Sequence, residues 1–351
     1  MRRLVKYIIG SMEGRDADTS VSLRFLMPYA LCLMPFLSYS QHYQFTQFYS
    51  APTYLNPAFT GANSCSRVSM TYRDQWPSIP GAFVTYQVSY DHFFVKYNSG
   101  AGIQFFNDKS GQGGLSTTAV TLLYAYEINV NRKLVCRFGA QAGFVQRSIN
   151  FGNLLFGDQV ARGGAATSVE NQTQSKIYPD FSAGGLGFTK QSWFGAAASH
   201  FTQPNQSLLN DKSPLPMEVK MHCGRKFFFK EEDKRDAKKY LIAAFNYKFQ
   251  NKFDQADIGF YYARLPLILG VWYRGIPLFK AYKPGYGNND AIAVLAGINW
   301  NRFNLGYSYD FTISKLTMRS GGSNELSLFY DLCDPKKNKK KKAVTIACPK
   351  F

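Results

Sequence analysis

Val84-Thr85-Tyr86-Gln87-Val88-Ser89-Tyr90 alternates large apolar and small polar side chains at every step. In an extended chain successive side chains point to opposite faces, so Val84, Tyr86, Val88 and Tyr90 share one face and Thr85, Gln87 and Ser89 the other. Val120, Leu122, Tyr124, Tyr126 and Ile128 make a second such stripe, opposed by Thr121 and Glu127. Leu134, Cys136, Phe138, Ala140, Ala142 and Phe144 make a third, opposed by Arg137, Gln141 and Gly143. A soluble sandwich would alternate as well, but its apolar faces must meet a second sheet. Here Tyr, Phe and Trp gather near strand ends, as in the aromatic girdles of outer-membrane barrels.

Composition agrees with that reading. Aromatic residues make up 16% of the 351 residues against only 18% charged, a pairing that soluble domains rarely show. Beyond the N-terminal region no run of 18 apolar residues occurs, so no helical span is expected. A β-barrel escapes that test because only every second residue faces lipid. The expectation is an all-β fold: a transmembrane antiparallel β-barrel of about 14 strands, preceded by a signal peptide. The strands fall near 66–73, 82–90, 100–107, 118–129, 133–147, 180–189, 192–201, 221–230, 239–250, 255–265, 267–275, 291–300, 302–311 and 323–331. Connections at Asn129-Val130-Asn131-Arg132 and Asn299-Trp300-Asn301-Arg302 are tight, whereas 148–179, 202–220 and 276–290 are long, the alternation of turns and loops that a barrel makes. Gly184, Gly185 and Gly187, and Ala196, Ala197 and Ala198, suit a close approach of interior segments to the wall.

Residues 1–40 read as a signal peptide with an upstream extension. Arg24 supplies the positive flank, Phe25 to Leu37 the apolar region, and Ser38-Tyr39-Ser40 a cleavage site before Gln41. Residues 41–65 form an N-terminal plug or periplasmic segment, 66–332 the barrel and 333–351 a periplasmic basic tail. The formal net charge is +18, and the run Lys336-Lys337-Asn338-Lys339-Lys340-Lys341-Lys342 concentrates part of it. In an exported protein that charge fits an anionic lipid headgroup or an acidic protein better than nucleic acid. Cys65, Cys136, Cys223, Cys333 and Cys348 follow the leader, an odd number. Cys333 and Cys348 could close a tail loop, or all five could be free.

Five motifs then occur in order. They begin with Gln44-Phe45-Thr46-Gln47-Phe48-Tyr49-Ser50-Ala51-Pro52-Thr53-Tyr54-Leu55-Asn56-Pro57-Ala58-Phe59-Thr60-Gly61. Arg73-Asp74-Gln75-Trp76 follows, ahead of Ile79-Pro80-Gly81 and Ser89-Tyr90-Asp91. Ala197-Ala198-Ser199-His200-Phe201-Thr202-Gln203-Pro204 stands mid-chain. Gly306 to Leu316 with Gly321 to Leu328, and the ending Cys348-Pro349-Lys350-Phe351, complete the set. Together they resemble the PorP/SprF family of type IX secretion system membrane proteins, with Asn324 standing where the family often has His. The resemblance implies a non-enzymatic outer-membrane barrel of the type IX secretion and gliding machinery. Such a barrel is needed for export or surface attachment of an adhesin-like cargo. Its partners would be that exported surface protein, periplasmic and outer-membrane machinery components, and outer-membrane lipid. The alternative is a passive or substrate-specific channel for small solutes.

The partner-binding candidates are Tyr54, Asn56, Pro57, Arg73, Trp76, His200, Pro349 and Phe351. Gln44 to Gly61 either binds a partner or merely seals the lumen. Arg73, Asp74 and Trp76 are either a lumen-facing charge pair below an aromatic or satisfied internal polar groups. Asp91, Asp108 and Asp310 are expected to pair with Arg137 or Arg225 inside the barrel. No catalytic, cofactor or metal site is expected. His42, His92, His200 and His222 lack metal-ligand spacing. Ser199 and His200, the best candidates for a lipid-cleaving site, are adjacent on one strand and would point apart.

Overall fold

The computed structural model describes residues 43–63, 66–150, 152, 154, 157–164, 175–208, 211–229, 239–276, 281–283, 286–314 and 320–332. The leader 1–40, the tail 333–351 with Pro349 and Phe351, and Cys65, Cys333 and Cys348 lie outside the described residues.

The strands are β1 (Arg67–Gln75), β2 (Phe83–Phe94), β3 (Ser99–Ser110), β4 (Leu115–Asn129), β5 (Val135–Ser148), β6 (Ser175–Phe188), β7 (Ser192–Ser199) and β8 (Glu218–Phe228). They continue as β9 (Lys239–Gln250), β10 (Phe253–Arg264), β11 (Leu267–Gly275), β12 (Ala281–Lys283), β13 (Tyr286–Gly287), β14 (Asn289–Trp300), β15 (Phe303–Thr312) and β16 (Ser323–Asp331). All but β12 and β13 form one antiparallel sheet that closes where β16 pairs with β1. The barrel thus has the 14 strands expected. Closure matters because lipid offers no hydrogen-bond partner to a free strand edge.

The side-chain pattern is inside-out relative to a soluble protein. Trp300 and Leu122 face outward at 73% and 65% exposure, whereas Arg137, Glu325 and Arg73 face inward at 0%, 1% and 2%. In β2 the predicted stripe Tyr86, Val88 and Tyr90 is the exposed one, and Thr85, Gln87 and Ser89 are buried. Outside is therefore a lipid face and inside a polar lumen.

Two ends can be told apart by their connections. At the end where β1 starts and β16 stops, strands are joined by 95–98, 130–134, 189–191, 229–238, 265–266 and 301–302. At the other end the connections include 149–174, 200–217, 276–288 and 313–322. These are called the terminal end and the loop end below.

Within the strand layout, two differences from the sequence reading stand out. The connection read only as a long loop over 276–290 contains the β12–β13 hairpin. Strand β6 starts at Ser175 rather than near 180, and Phe144 of β5 pairs with Pro179 within it. Proline lacks a donor and usually ends a central strand. Here β6 pairs with β7 only over 182–188, so Pro179 lies where one flank of β6 has no strand to bond.

Candidate functional site

Residues 43–63 occupy the lumen. Two prolines and successive hydrogen-bonded turns keep the segment compact instead of extended. A short helix α1 (Pro52–Leu55) has Pro52 at its first position, where a missing N–H costs nothing. A 3-10 turn follows over Pro57–Phe59. Asn56 between them is extended at φ −158, the conformation that a following proline imposes. Its side-chain oxygen accepts from Ala58 N at 2.9 Å and caps the turn.

The segment joins opposite walls through apolar contacts. Phe45 and Ala51 pack with Phe106, Val145 and Tyr178 of β3, β5 and β6. Tyr49, Leu55 and Phe59 pack with Trp193, Ile242, Tyr261, Trp272 and Leu295 on the far side. Tyr54 sits edge-on to Phe45 at 5.2 Å and donates its hydroxyl to Tyr43 O at 2.6 Å. Burial, with Glu218 and Tyr43 nearby, pushes the Tyr54 phenol well above its usual range. The Lys220 ammonium lies 4.0 Å from the Tyr54 ring centre and donates to Tyr54 O at 3.2 Å.

Three polar clamps fix its position. Toward the loop end, Glu325 accepts from Thr46 N at 2.6 Å and from Gln47 N at 2.8 Å. Arg73, directly opposite Glu325 in the β1–β16 register, pairs with it at 3.1 Å and with Asp310 at 2.8 Å. Arg274 reaches Asp257 at 3.0 Å, Asp310 at 3.3 Å and Thr46 Oγ1 at 3.1 Å. The Thr46 hydroxyl donates to Asp310 at 2.7 Å and accepts from Arg73. In mid-lumen the Asn56 amide donates to Gly185 O at 3.0 Å and Ala196 O at 3.2 Å, and meets Nε2 of His222 at 3.2 Å. Toward the terminal end Arg137 donates to Ala58 O at 2.9 Å and to Thr60 O, while pairing with Glu127 at 2.5 Å. Asp91 accepts from Gly61 N at 2.8 Å and Asn63 donates to Asp331 at 2.5 Å. Buried charges of this kind persist only when paired and hydrogen-bonded, and the luminal segment supplies part of that pairing.

Glycines on the wall make room. A Cβ at Gly139 would strike the backbone of Pro57 and Ala58, one at Gly184 the Asn56 amide, and one at Gly195 the His222 ring. Gly185 and Gly187 differ from the expectation: they point outward, and Leu186 faces in between them.

The predicted site residues do not form one site. Tyr54, Asn56 and Pro57 lie in the luminal segment and Arg73 in its loop-end clamp. Arg73 does not pair with Asp74, since neighbours on a strand face opposite sides. Trp76 leaves β1 in a left-handed conformation at φ 59 and meets Phe83 edge-on at 5.5 Å, away from Arg73's partners. His200, also left-handed at φ 62, pairs with Asp180 at 2.9 Å at the end of β7. The expected ion pairs are redistributed. Asp91 pairs with Arg67 and Asp310 with Arg73 and Arg274, whereas Asp108 accepts from Thr85 and Arg225 points outward. Glu325, Thr46 and Arg274 were missed because nothing in sequence spacing tells which inward residues meet across a lumen.

A closed barrel with an apolar exterior and a buried polar interior is an outer-membrane protein. The sequence matches the family described as type IX secretion system membrane protein PorP/SprF over residues 37–330, and the chain belongs to that family. It is therefore an outer-membrane barrel component of type IX secretion, associated with that machinery. Among curated proteins, no sequence matches. Similar solved structures include the toluene transporter TbuX of Ralstonia pickettii, at 11% identity over 80% of this chain and 92% of that one, with TM-score 0.47. The TodX deltaS2S3 mutant monoaromatic hydrocarbon channel shows 13% identity over 83% and 94%, with TM-score 0.42. The KdgM porin shows 6% identity over 76% and 99%, with TM-score 0.34.

Proposed function

We propose that the protein serves type IX secretion as a plugged, non-catalytic barrel needed for export or surface attachment of an adhesin-like cargo. The supporting observation is the luminal segment itself, clamped by buried charges on β1, β11, β15 and β16 and packed against both walls. A passive open pore would instead keep its lumen filled with water. In this reading the long connections 149–174 and 200–217 face the cell exterior and meet the cargo, and the terminal end faces the periplasm and the machinery. The basic tail 333–351, with Pro349 and Phe351, would leave on that same side. Tyr54, Asn56 and Pro57 act by holding the plug, and Trp76 and His200 lie at the loop end, where cargo would dock.

The test is a comparison of surface proteome and secretome between wild type and a clean in-frame deletion. Loss of one large adhesin from the surface, with other cargo unaffected, supports the cargo-partner reading. Retention of all type IX cargo in the periplasm marks a general component instead. An unchanged surface and secretome would overturn the proposal and favour the solute channel.

A further inference from the structure

We propose that the lipid-facing corner of β8, β9 and β10 at the terminal end binds the phosphate of an anionic phospholipid. Lys239 and Arg264 stand directly opposite one another in the β9–β10 register. Both lie on the outward face, in phase with Leu241 and Tyr262. Like charges facing each other across a strand pair destabilise it, and the more so beside lipid, where water cannot screen them. Arg225 of β8 adds a third cation to the same face.

Among the described residues no carboxylate lies within ion-pair distance of any of the three. Their contacts are with rings: the Lys239 ammonium is 5.3 Å from the Phe229 ring centre and the Arg225 guanidinium 5.5 Å from that of Phe227. Phe229 in turn meets Tyr262 edge-on at 6.2 Å. Aromatics of this kind sit at the membrane–water boundary, so the cations are held at headgroup depth rather than projected into water.

Of the other connections on this rim, four have the same sign, while 229–238 carries Glu231, Glu232, Asp233 and Asp236 alongside Lys230, Lys234, Arg235 and Lys238. Lys96, Arg132, Lys133, Lys190 and Arg302 occupy the connections 95–98, 130–134, 189–191 and 301–302, which contain no Asp or Glu. The corner therefore continues the lipid-facing belt and presents, among the described residues, a positive cluster without a carboxylate partner where phosphates lie. A phosphate oxygen between Lys239 and Arg264 removes their repulsion and gains charge-assisted hydrogen bonds.

The full chain, purified in detergent, is titrated with phosphatidylglycerol, phosphatidylcholine or lipid A and read by native mass spectrometry. Wild type retains phosphatidylglycerol in preference to the other two. The double variant Lys239→Gln/Arg264→Gln weakens that retention roughly 30-fold, since each cation near an anionic headgroup contributes about 1 kcal/mol. Lys252→Gln, in the loop-end turn 251–252, leaves it unchanged. Lys239→Glu is the sharper variant. It creates an ion pair with Arg264, so the heat-modifiable band of the folded barrel persists while lipid retention falls. Equal retention of phosphatidylcholine, preference for lipid A, or unaltered retention by folded Lys239→Glu would each overturn the proposal.

Discussion

At the scale of single residues, Glu325 carries more than any other side chain. One carboxylate accepts two consecutive backbone N–H groups of the plug and pairs with Arg73 across the closing seam. Glu325→Gln keeps the shape and removes the charge, leaving Arg73 and Arg274 to share Asp310. Losing one partner of a buried ion pair costs about 3 kcal/mol, and the expected readout is an earlier urea-unfolding midpoint in lipid vesicles. Glu127→Gln beside Arg137 should cost a similar amount, about 3 kcal/mol, because Arg137 would then hold only backbone oxygens. Alternation alone marks Arg73 and Arg137 as inward-facing. The partners of Arg73 depend on closure of the sheet, which brings β15 and β16 beside β1, whereas Glu127 faces Arg137 directly across the β4–β5 hairpin. Arg274 belongs to a strand recognised from its pattern, yet no local signal in 267–275 says that it reaches Thr46, 228 residues earlier.

At the scale of elements, the plug and the wall are cut to fit. Gly139, Gly184 and Gly195 lie on β5, β6 and β7, and together they clear the volume that Asn56, Pro57 and His222 fill. Gly184→Val puts branched carbons where the Asn56 amide sits and breaks its bonds to Gly185 and Ala196. The strands gain rather than lose from a β-branched residue, so the barrel still forms. The expected outcome is a folded barrel with a displaced plug, seen as protease cleavage within 43–63 that wild type resists. All fourteen barrel strands were legible because each one divides lipid from lumen, and that division is written residue by residue in the alternation. The β12–β13 hairpin was not legible: its strands are three and two residues long, too short to show a period. The extension of β6 over 175–179 was hidden by Pro179, which reads as a strand breaker wherever neighbours on both sides are assumed.

At the scale of the whole molecule, plug and barrel are separable in a way that a core and its shell are not. The lumen walls carry Arg73, Arg274, Asp257, Asp310 and Glu325, which water can solvate if the plug leaves. Deleting 43–63 should therefore yield a barrel that still inserts and shows heat-modifiable migration, but conducts in planar bilayers where wild type stays silent. Wild-type conductance equal to that of the deletion would mean that the segment blocks nothing. The arrangement was only half visible in the sequence. Pro52, Asn56 and Pro57 marked 44–61 as something other than a strand, but whether it docked inside or trailed outside required the lumen's own inventory of partners.

The grip of Glu325 on Thr46 spans 279 positions of the chain. Contacts so distant in sequence form late, because the intervening loop must close before the contact returns any free energy. The residues that enter the assembly pathway first are thus secured by the strand that enters it last. Until β16 has paired with β1, the backbone at Thr46 and Gln47 lacks the Glu325 carboxylate that holds it, and the aromatic rings of the segment have only part of a wall. A chain arrested before β16 would expose Phe45, Tyr49 and Phe59 to whatever escorts it across the periplasm, which gives quality control a direct reporter of unfinished closure.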